Sequence, residues 1–111
     1  SYYGAEKVVG NYNIMGPVKA ALEASVRALA VELGPRGIRV FAVSPGPLRT
    51  RAASGIAQFD DLVEIARSRA PQHRLVDIAE VGRVVAFLVG GASSGMTGDT
   101  IYVDAGLHNV A

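Results

Sequence analysis

The stretch that decides the fold is residues 1–33, which reads Ser1-Tyr-Tyr-Gly-Ala-Glu-Lys-Val-Val-Gly-Asn-Tyr12-Asn-Ile-Met-Gly-Pro-Val-Lys19 and continues as AALEASVRALAVEL. Its second part predicts an amphipathic helix, because apolar residues recur every three or four positions. The expected buried stripe consists of Val18, Leu22, Val26, Leu29 and Leu33. Gly34 is expected to cap this helix at its C-terminus, and Pro35 prevents its continuation.

Tyr12 and Lys19 are the candidate reactive pair within this stretch. If the chain is helical from about Tyr12 onward, a seven-residue spacing puts both side chains on one helix face. Pro17 complicates this interpretation, because it lacks an amide donor and favours a helix that starts near Gly16 or bends there. Lys19 also lies four positions before Glu23 and eight before Arg27, and a charge ladder of this spacing is typical of an exposed helix face. Taken alone, the lysine is therefore weak evidence for a site.

The rest of the chain alternates between strand and helix patterns. We expect strands at residues 38–43 and 100–104, a helix at 60–69, and another helix that starts at the capping box Asp77-Ile-Ala-Glu80. The loop at residues 44–50 follows the first strand, on the edge where open parallel sheets bind ligands. The small residues at 51–58 suit a segment that covers a substrate. This order predicts an α/β fold, the second half of a Rossmann-like doubly wound parallel sheet.

Composition limits the possible functions. Half of the 111 residues are apolar, 13 are glycine and the formal net charge is +1. This balance favours a packed α/β protein and provides no electrostatic case for nucleic acid or a membrane surface. The absence of cysteine excludes disulfides and thiolate metal sites and leaves the redox compartment open. A cytoplasmic location is the default expectation. Two strands cannot form a stable sheet alone, so we expect a larger partner structure.

Four blocks resemble the short-chain dehydrogenase/reductase superfamily, and more closely the bacterial NADH-type enoyl-acyl-carrier-protein reductases. The blocks are residues 1–6, residues 11–24, residues 44–50 with 52–56, and residues 97–104, which together extend over nearly the whole chain. The most specific feature is a tyrosine followed by six residues and a lysine, Tyr12 to Lys19, with Tyr2 ten positions upstream. Ketone-reducing relatives use tyrosine, three residues and lysine. Tyr3 and Lys7 match that shorter pattern, but a helix carrying them would have to pass through two glycines and Pro17.

The resemblance implies a role for each matching residue. Tyr12 would hydrogen-bond the thioester carbonyl oxygen, Lys19 would bind the nicotinamide ribose, and Tyr2 would act beside the substrate as a third catalytic residue. The cofactor-binding set is Lys19, Leu48, Arg49, Thr50, Arg51 and Ala52. The substrate-binding set is Tyr2, Tyr12, Met15, Ala52, Ile56 and Phe59. Ordinary core packing remains the alternative for the apolar residues of the acyl pocket, and solvent exposure remains the alternative for Arg49 and Arg51. For each tyrosine the alternative is a partly buried side chain with a hydrogen-bonded hydroxyl.

The implied activity is NADH-dependent reduction of trans-2-enoyl-acyl-carrier-protein thioesters in fatty-acid synthesis. By resemblance, residues 1–111 would be the C-terminal part of one enoyl-reductase domain whose dinucleotide-binding half lies outside this chain. The chain alone would be inactive, and the whole enzyme would be a homo-oligomer, a tetramer. Two alternatives stay open: a related reductase acting on a ketone or alcohol, and a non-catalytic assembly module. No metal site is expected, since we expect no acidic or histidine partner at ligand spacing for His73 or His108.

Overall fold

The computed structural model describes residues 1–48 and 59–111. The main elements are α1 (Met15–Leu33), β1 (Ala42–Pro45), α2 (Phe59–Arg69), α3 (Ile78–Val89) and β2 (Thr100–Val103). Short 3-10 turns occupy Tyr3–Ala5, Gly34–Arg36, Gly91–Ser93 and Leu107–Asn109. The alternation of strands and helices agrees with the predicted α/β class.

The two strands pair in parallel, with Ala42 opposite Thr100 and Pro45 opposite Val103. The first strand therefore begins four residues and ends two residues later than the predicted 38–43, so both predicted boundaries are wrong. The reason is the register with β2, which begins to pair only at Ala42. Upstream of it, Val40 accepts a bond from the amide of Gly98 at 2.7 Å instead of joining the ladder. Strand propensity at residues 38–41 could not reveal where a partner strand begins.

The first turn of α1 settles the question about Pro17. The helix begins at Met15, so Pro17 lies in its first turn, where a missing amide donor breaks no helical hydrogen bond. The prediction of a start near Gly16 is confirmed. Tyr12 precedes the helix, so the argument that Tyr12 and Lys19 share one helix face is wrong.

Helix α1 ends at Leu33 with Gly34 as its C-cap residue, as predicted. Gly34 has ordinary right-handed torsions and continues into the 3-10 turn. The left-handed cap is Gly37, with φ of 75°. Pro35 stands at the start of that turn, where its fixed φ is compatible with tight helical geometry. The predicted end of α1 is therefore confirmed, and the left-handed residue follows at the end of the 3-10 turn.

The buried face of α1 matches the predicted apolar stripe at Val26 but not at Leu22 or Leu29. Glu23, Val26 and Ala30 are the buried residues of this helix. Leu22 and Leu29 remain 43% and 42% exposed. Periodicity identified the amphipathic helix, but small side chains and one acid form the face that packs on the rest of the described structure. The leucine-bearing face is left uncovered among the described residues.

The core joins the beginning of the chain to its end. Tyr3 packs with Ala66 and Ala70 from the end of α2 and with Leu107 after β2. Tyr2 and Leu48 pack against this cluster from its edge. Because Tyr3 is anchored in this core, its neighbours Tyr2 and Gly4 are held in a defined position beside the sheet.

Helix α3 begins as predicted. Asp77 accepts a hydrogen bond from the amide of Glu80 at 2.8 Å, and the Glu80 carboxylate accepts one from the amide of Asp77 at 2.8 Å. This reciprocal pair is the expected capping box. Among the described helices, none combines the length and apolar character that crossing a bilayer requires.

Candidate active site

Tyr2 and Tyr12 come together at the start of the chain. Their ring centroids lie 5.4 Å apart at an interplanar angle of 49°, and the ring of Tyr3 lies 4.5 Å from that of Tyr2. Tyr12 is 5% exposed. The structure therefore brings the two predicted tyrosines into contact through packing, without any shared helix.

Backbone hydrogen bonds hold Tyr12 in the loop before α1. Its amide donates to the carbonyl of Val9 at 3.3 Å, and its own carbonyl accepts from the amide of Met15 at 3.1 Å. Upstream, the nitrogen of Ser1 donates to the carbonyl of Val43 at 2.7 Å, which puts Ser1 beside β1. The tyrosine pair consequently lies next to the strand whose carboxyl end leads into the predicted cofactor loop.

The two phenols are neutral hydrogen-bond donors. Burial, followed by the neighbouring Tyr3, raises the pKa of Tyr2 far above its ordinary value, and the same causes raise the pKa of Tyr12. The hydroxyl of Tyr2 is buried without a hydrogen-bond partner in the described structure. An unpaired buried hydroxyl is costly, so this atom is well suited to bind a polar ligand atom.

Lys19 lies in the second turn of α1 and is half-buried. Within the described part of the chain its ammonium group makes no hydrogen bond, so its donors are available to a ligand. Nearby, the buried carboxylate of Glu23 accepts a bond from the Ser1 hydroxyl at 3.0 Å. The predicted surface ladder is therefore incorrect at Glu23, which is 4% exposed. Ser1 and Glu23 are site-adjacent residues that the spacing arguments did not identify.

A cavity of about 360 Å³ borders one side of Tyr12, and its lining also includes Gly4, Val9, Gly16 and Ala20. Neither Tyr2 nor Lys19 contributes to this lining, and Met15 does not either. The cavity therefore does not unite the predicted catalytic residues. Of the predicted set, the described structure joins the two tyrosines directly and leaves Lys19 separate from this cavity.

The structure describes some of the remaining predicted site residues and not others. Leu48 lines a different cavity, of about 290 Å³, between the end of β1 and the start of α3. Met15 opens α1 and is 37% exposed, while Phe59 is the first residue of α2 and is half-buried. Five predicted residues lie outside the described residues: Arg49, Thr50, Arg51, Ala52 and Ile56. The proposed covering segment at 51–58 lies there as well.

The shorter tyrosine-lysine motif belongs to the scaffold. Tyr3 is 6% exposed and forms part of the core. The ammonium group of Lys7 donates to the carbonyl of His108 instead of facing Tyr3. The helix that would carry both residues ends at Ala5 as a single 3-10 turn. Rejection of this motif is therefore confirmed on structural grounds.

His108 corrects another expectation, because it does have an acidic partner. Its Nδ1 lies 2.9 Å from the Oδ2 of Asp104, and its ring stacks on Tyr102 with centroids 3.8 Å apart. Asp104 also accepts bonds from the amides of Gly106 and His108, both at 3.0 Å. The four-residue spacing of Asp104 and His108 was the available signal. The described residues contain no group of three or more potential metal ligands.

The parallel strands, the helices that connect them and the tyrosine pair beside the first strand define a Rossmann-like α/β protein with a polar site near a strand edge. Comparison with known proteins identifies the family. The family model described as enoyl-(acyl carrier protein) reductase matches residues 1–108, and the chain belongs to this family.

Individual relatives agree with that assignment. The chain is 54% identical over 110 residues to the enoyl-[acyl-carrier-protein] reductase [NADH] 1 of Rhizobium meliloti, covering 99% of this chain and 40% of that protein. A Staphylococcus aureus enoyl-[acyl-carrier-protein] reductase [NADPH] is 48% identical, with 99% and 43% covered. The crystal structure of the Anaplasma phagocytophilum enoyl-(acyl-carrier-protein) reductase in complex with NAD superposes with a TM-score of 0.91 at 49% identity, covering 100% of this chain and 42% of that one. The chain thus spans less than half the length of these relatives.

Proposed function

We propose that this chain carries the tyrosine pair and part of the nicotinamide site of an enoyl-acyl-carrier-protein reductase, which reduces trans-2-enoyl thioesters with NADH in fatty-acid synthesis. The observation that carries the proposal is the contact between Tyr2 and Tyr12, whose rings lie 5.4 Å apart and whose phenols are protonated. Membership of the enoyl-reductase family supports the choice of substrate class.

Tyr12 has the role of electrophilic donor in this proposal. When bound, the reduced nicotinamide cofactor supplies the hydride that adds to the β-carbon of the enoyl group. The Tyr12 hydroxyl donates a hydrogen bond to the thioester oxygen, on which negative charge accumulates as the enolate forms. A donor in a buried site stabilises this oxygen more in the transition state than in the ground state, so the bond lowers the barrier. Burial keeps the phenol protonated and ready to donate.

Tyr2 and Lys19 complete the proposed machinery. The orphaned hydroxyl of Tyr2 fits a polar atom of a bound ligand, and the unbonded ammonium group of Lys19 fits the ribose hydroxyls of the cofactor. The wider proposal retains the cofactor set of Leu48, Arg49, Thr50, Arg51 and Ala52. It also retains Met15, Ala52, Ile56 and Phe59 as the lining of the acyl pocket.

Cofactor choice and assembly belong to the same proposal. NADH is favoured by the resemblance and by the name of the Rhizobium meliloti relative, while the Staphylococcus aureus relative is named for NADPH. The dinucleotide-binding half is proposed to lie in the part of the protein outside this chain. A homotetramer in the cytoplasm is proposed by resemblance, and the uncovered face of α1 around Leu22 and Leu29 is compatible with such an assembly.

The test uses the complete protein that contains this chain. We expect oxidation of NADH, followed by absorbance, when an enoyl-acyl-carrier-protein thioester is supplied and none with a ketone. Tyr12→Phe should lower turnover by about 100-fold or more while leaving cofactor affinity unchanged. Lys19→Ala should weaken cofactor binding measured by calorimetry. Tyr102→Phe is the matched control, since Tyr102 lies on β2 against His108.

Three outcomes would contradict the proposal. Reduction of ketones without reduction of enoyl thioesters would favour the alternative reductase. Full turnover of Tyr12→Phe would remove Tyr12 from the mechanism. A complete protein that binds no nicotinamide cofactor and catalyses neither reaction would favour the non-catalytic assembly module.

A further inference from the structure

Gly4 lies directly against the ring of Tyr12. A Cβ atom at position 4 would stand 2.7 Å from Cε2 and 2.8 Å from Cδ2 of that ring, and 3.3 Å from Cγ2 of Val9. Ordinary carbon contacts are about 3.5–4.0 Å, so an alanine at this position requires a displacement of about 0.8 Å or more. Gly4 has no left-handed torsion, so the conflict is one of space and not of backbone conformation.

The backbones on both sides of this contact are held in place. Gly4 belongs to the 3-10 turn that follows Tyr3, and Tyr3 is buried in the core. On the other side, backbone hydrogen bonds to Val9 and Met15 secure Tyr12. Because neither backbone moves easily, the ring of Tyr12 is the part that must yield to a larger side chain at position 4.

Gly16 also contributes to the close packing at Gly4. A Cβ atom on Gly16, in the first turn of α1, would lie 3.1 Å from the carbonyl oxygen of Gly4. The absence of a side chain at position 16 therefore lets the 3-10 turn approach the helix closely. Gly4 in turn packs directly against the ring of Tyr12. How deeply this ring is buried therefore depends on the close contact between Gly4 and Gly16.

We propose that Gly4 is a positioning residue for Tyr12, and that the missing side chain at position 4 sets where the Tyr12 hydroxyl stands relative to the bound substrate. This proposal rests on the function proposed above for Tyr12. Transition-state hydrogen bonds require accurate placement, and a misplacement of about 1 Å can lower a rate about 100-fold. The displacement required at Gly4 is of that size.

The first experiment compares Gly4→Ala with Gly10→Ala in the complete protein. Gly10 is the matched control, since a Cβ there meets nothing within 4 Å. We expect Gly4→Ala to lower kcat by about 100-fold with the KM for cofactor unchanged, and Gly10→Ala to leave both constants unchanged. Equal, small effects of the two substitutions would overturn the proposal.

A double-variant cycle distinguishes positioning from general damage. In a Tyr12→Phe background the hydroxyl is already absent, so adding Gly4→Ala should lower kcat by less than about threefold. A full additional loss in that background would mean that position 4 acts independently of the Tyr12 hydroxyl, and would refute the proposal. If Gly4→Ala fails to fold, Gly4→Ala combined with Tyr12→Leu should restore folding by making room. Failure of this double variant to fold would also refute it.

A third measurement does not depend on catalysis. Fluorotyrosine incorporated at Tyr12 reports the surroundings of the ring by fluorine NMR. Gly4→Ala should shift this resonance and Gly10→Ala should not. If the parent protein reduces no enoyl thioester but the resonance shifts, the proposed function fails while the packing relation stands. If the parent is active and the resonance does not move, the positioning role of Gly4 fails.

Discussion

Arg39 provides the strongest test of how the described elements are joined. Its guanidinium donates to the carbonyl of Ser93 at 2.7 Å through one nitrogen and to the carbonyl of Leu88 at 2.9 Å through the other. It also lies over the ring of Phe41 at 5.5 Å. A residue just before β1 therefore binds the carbonyls at the C-terminal end of α3. Arg39→Met keeps a similar length of side chain and removes every donor.

The expected cost follows from these contacts. A hydrogen bond from a charged group contributes about 1.5–3 kcal/mol, and a cation–π contact about 0.5–1 kcal/mol. The Leu88 carbonyl keeps a second donor in the Ser93 hydroxyl at 2.8 Å, so its loss is partly compensated. We therefore expect Arg39→Met to lower the free energy of local opening by about 3 kcal/mol, which corresponds to roughly a hundredfold faster exchange.

Hydrogen exchange in the complete protein measures this effect. The informative amides are those of Gly90, bonded to Phe87, and Met96, bonded to Ser93. Arg36→Met is the control, because the side chain of Arg36 is exposed and makes no hydrogen bond within the described residues. The reasoning would be refuted if the exchange rate of these amides rose less than about threefold in Arg39→Met. It would also be refuted if the rate rose by the same factor in Arg36→Met.

Three further predictions concern the rest of the scaffold. The bidentate bond from Arg74 and the amide of Asp77 lower the pKa of Glu80 from 4.5 to about 2, so the stabilisation by this group is present above pH 4.5 and lost as pH falls toward 2. In the complete protein, the difference in urea midpoint between the parent and Arg74→Gln should therefore vanish over that pH range, and a constant difference would contradict this prediction. In the complete protein, Gly106→Ala should lower the free energy of unfolding in urea by about 2–4 kcal/mol, because φ is 86° and a Cβ would stand 2.8 Å from Pro71. Gly37→Ala, with φ of 75° and open space, should lower it by only about 1–2 kcal/mol, and equal costs would exclude crowding at Pro71. Expressed alone, residues 1–111 should lack a cooperative melt, because large apolar side chains remain exposed, and a sharp monomeric transition by calorimetry would contradict this.

The elements that the sequence predicted well depend on local chemistry. The capping box of Asp77 and Glu80 and the start of α1 near Gly16 follow from interactions between residues a few positions apart. The second strand near Thr100 is marked by turn residues on both sides of a short apolar run. Patterns of this kind can be recognised within a short segment of sequence. The resemblance to the enoyl reductases also predicts that Tyr2 and Tyr12 belong to one site, from the spacing of these residues in the family. The argument that Tyr12 lies on the same helix as Lys19 is wrong.

The sequence by itself determined the parallel α/β class, the approximate helices and the residues that carry the proposed chemistry. Tertiary structure alone decided which face of α1 is buried, where β1 begins and that Gly4 packs on Tyr12. It also revealed Asp104 as the partner of His108 and the α3 carbonyls as partners of Arg39. Most of these features depend on contacts between residues far apart in the chain, or on the exact distance between packed surfaces. Local periodicity contains neither kind of information, because a helix or strand pattern specifies an element without specifying its neighbour.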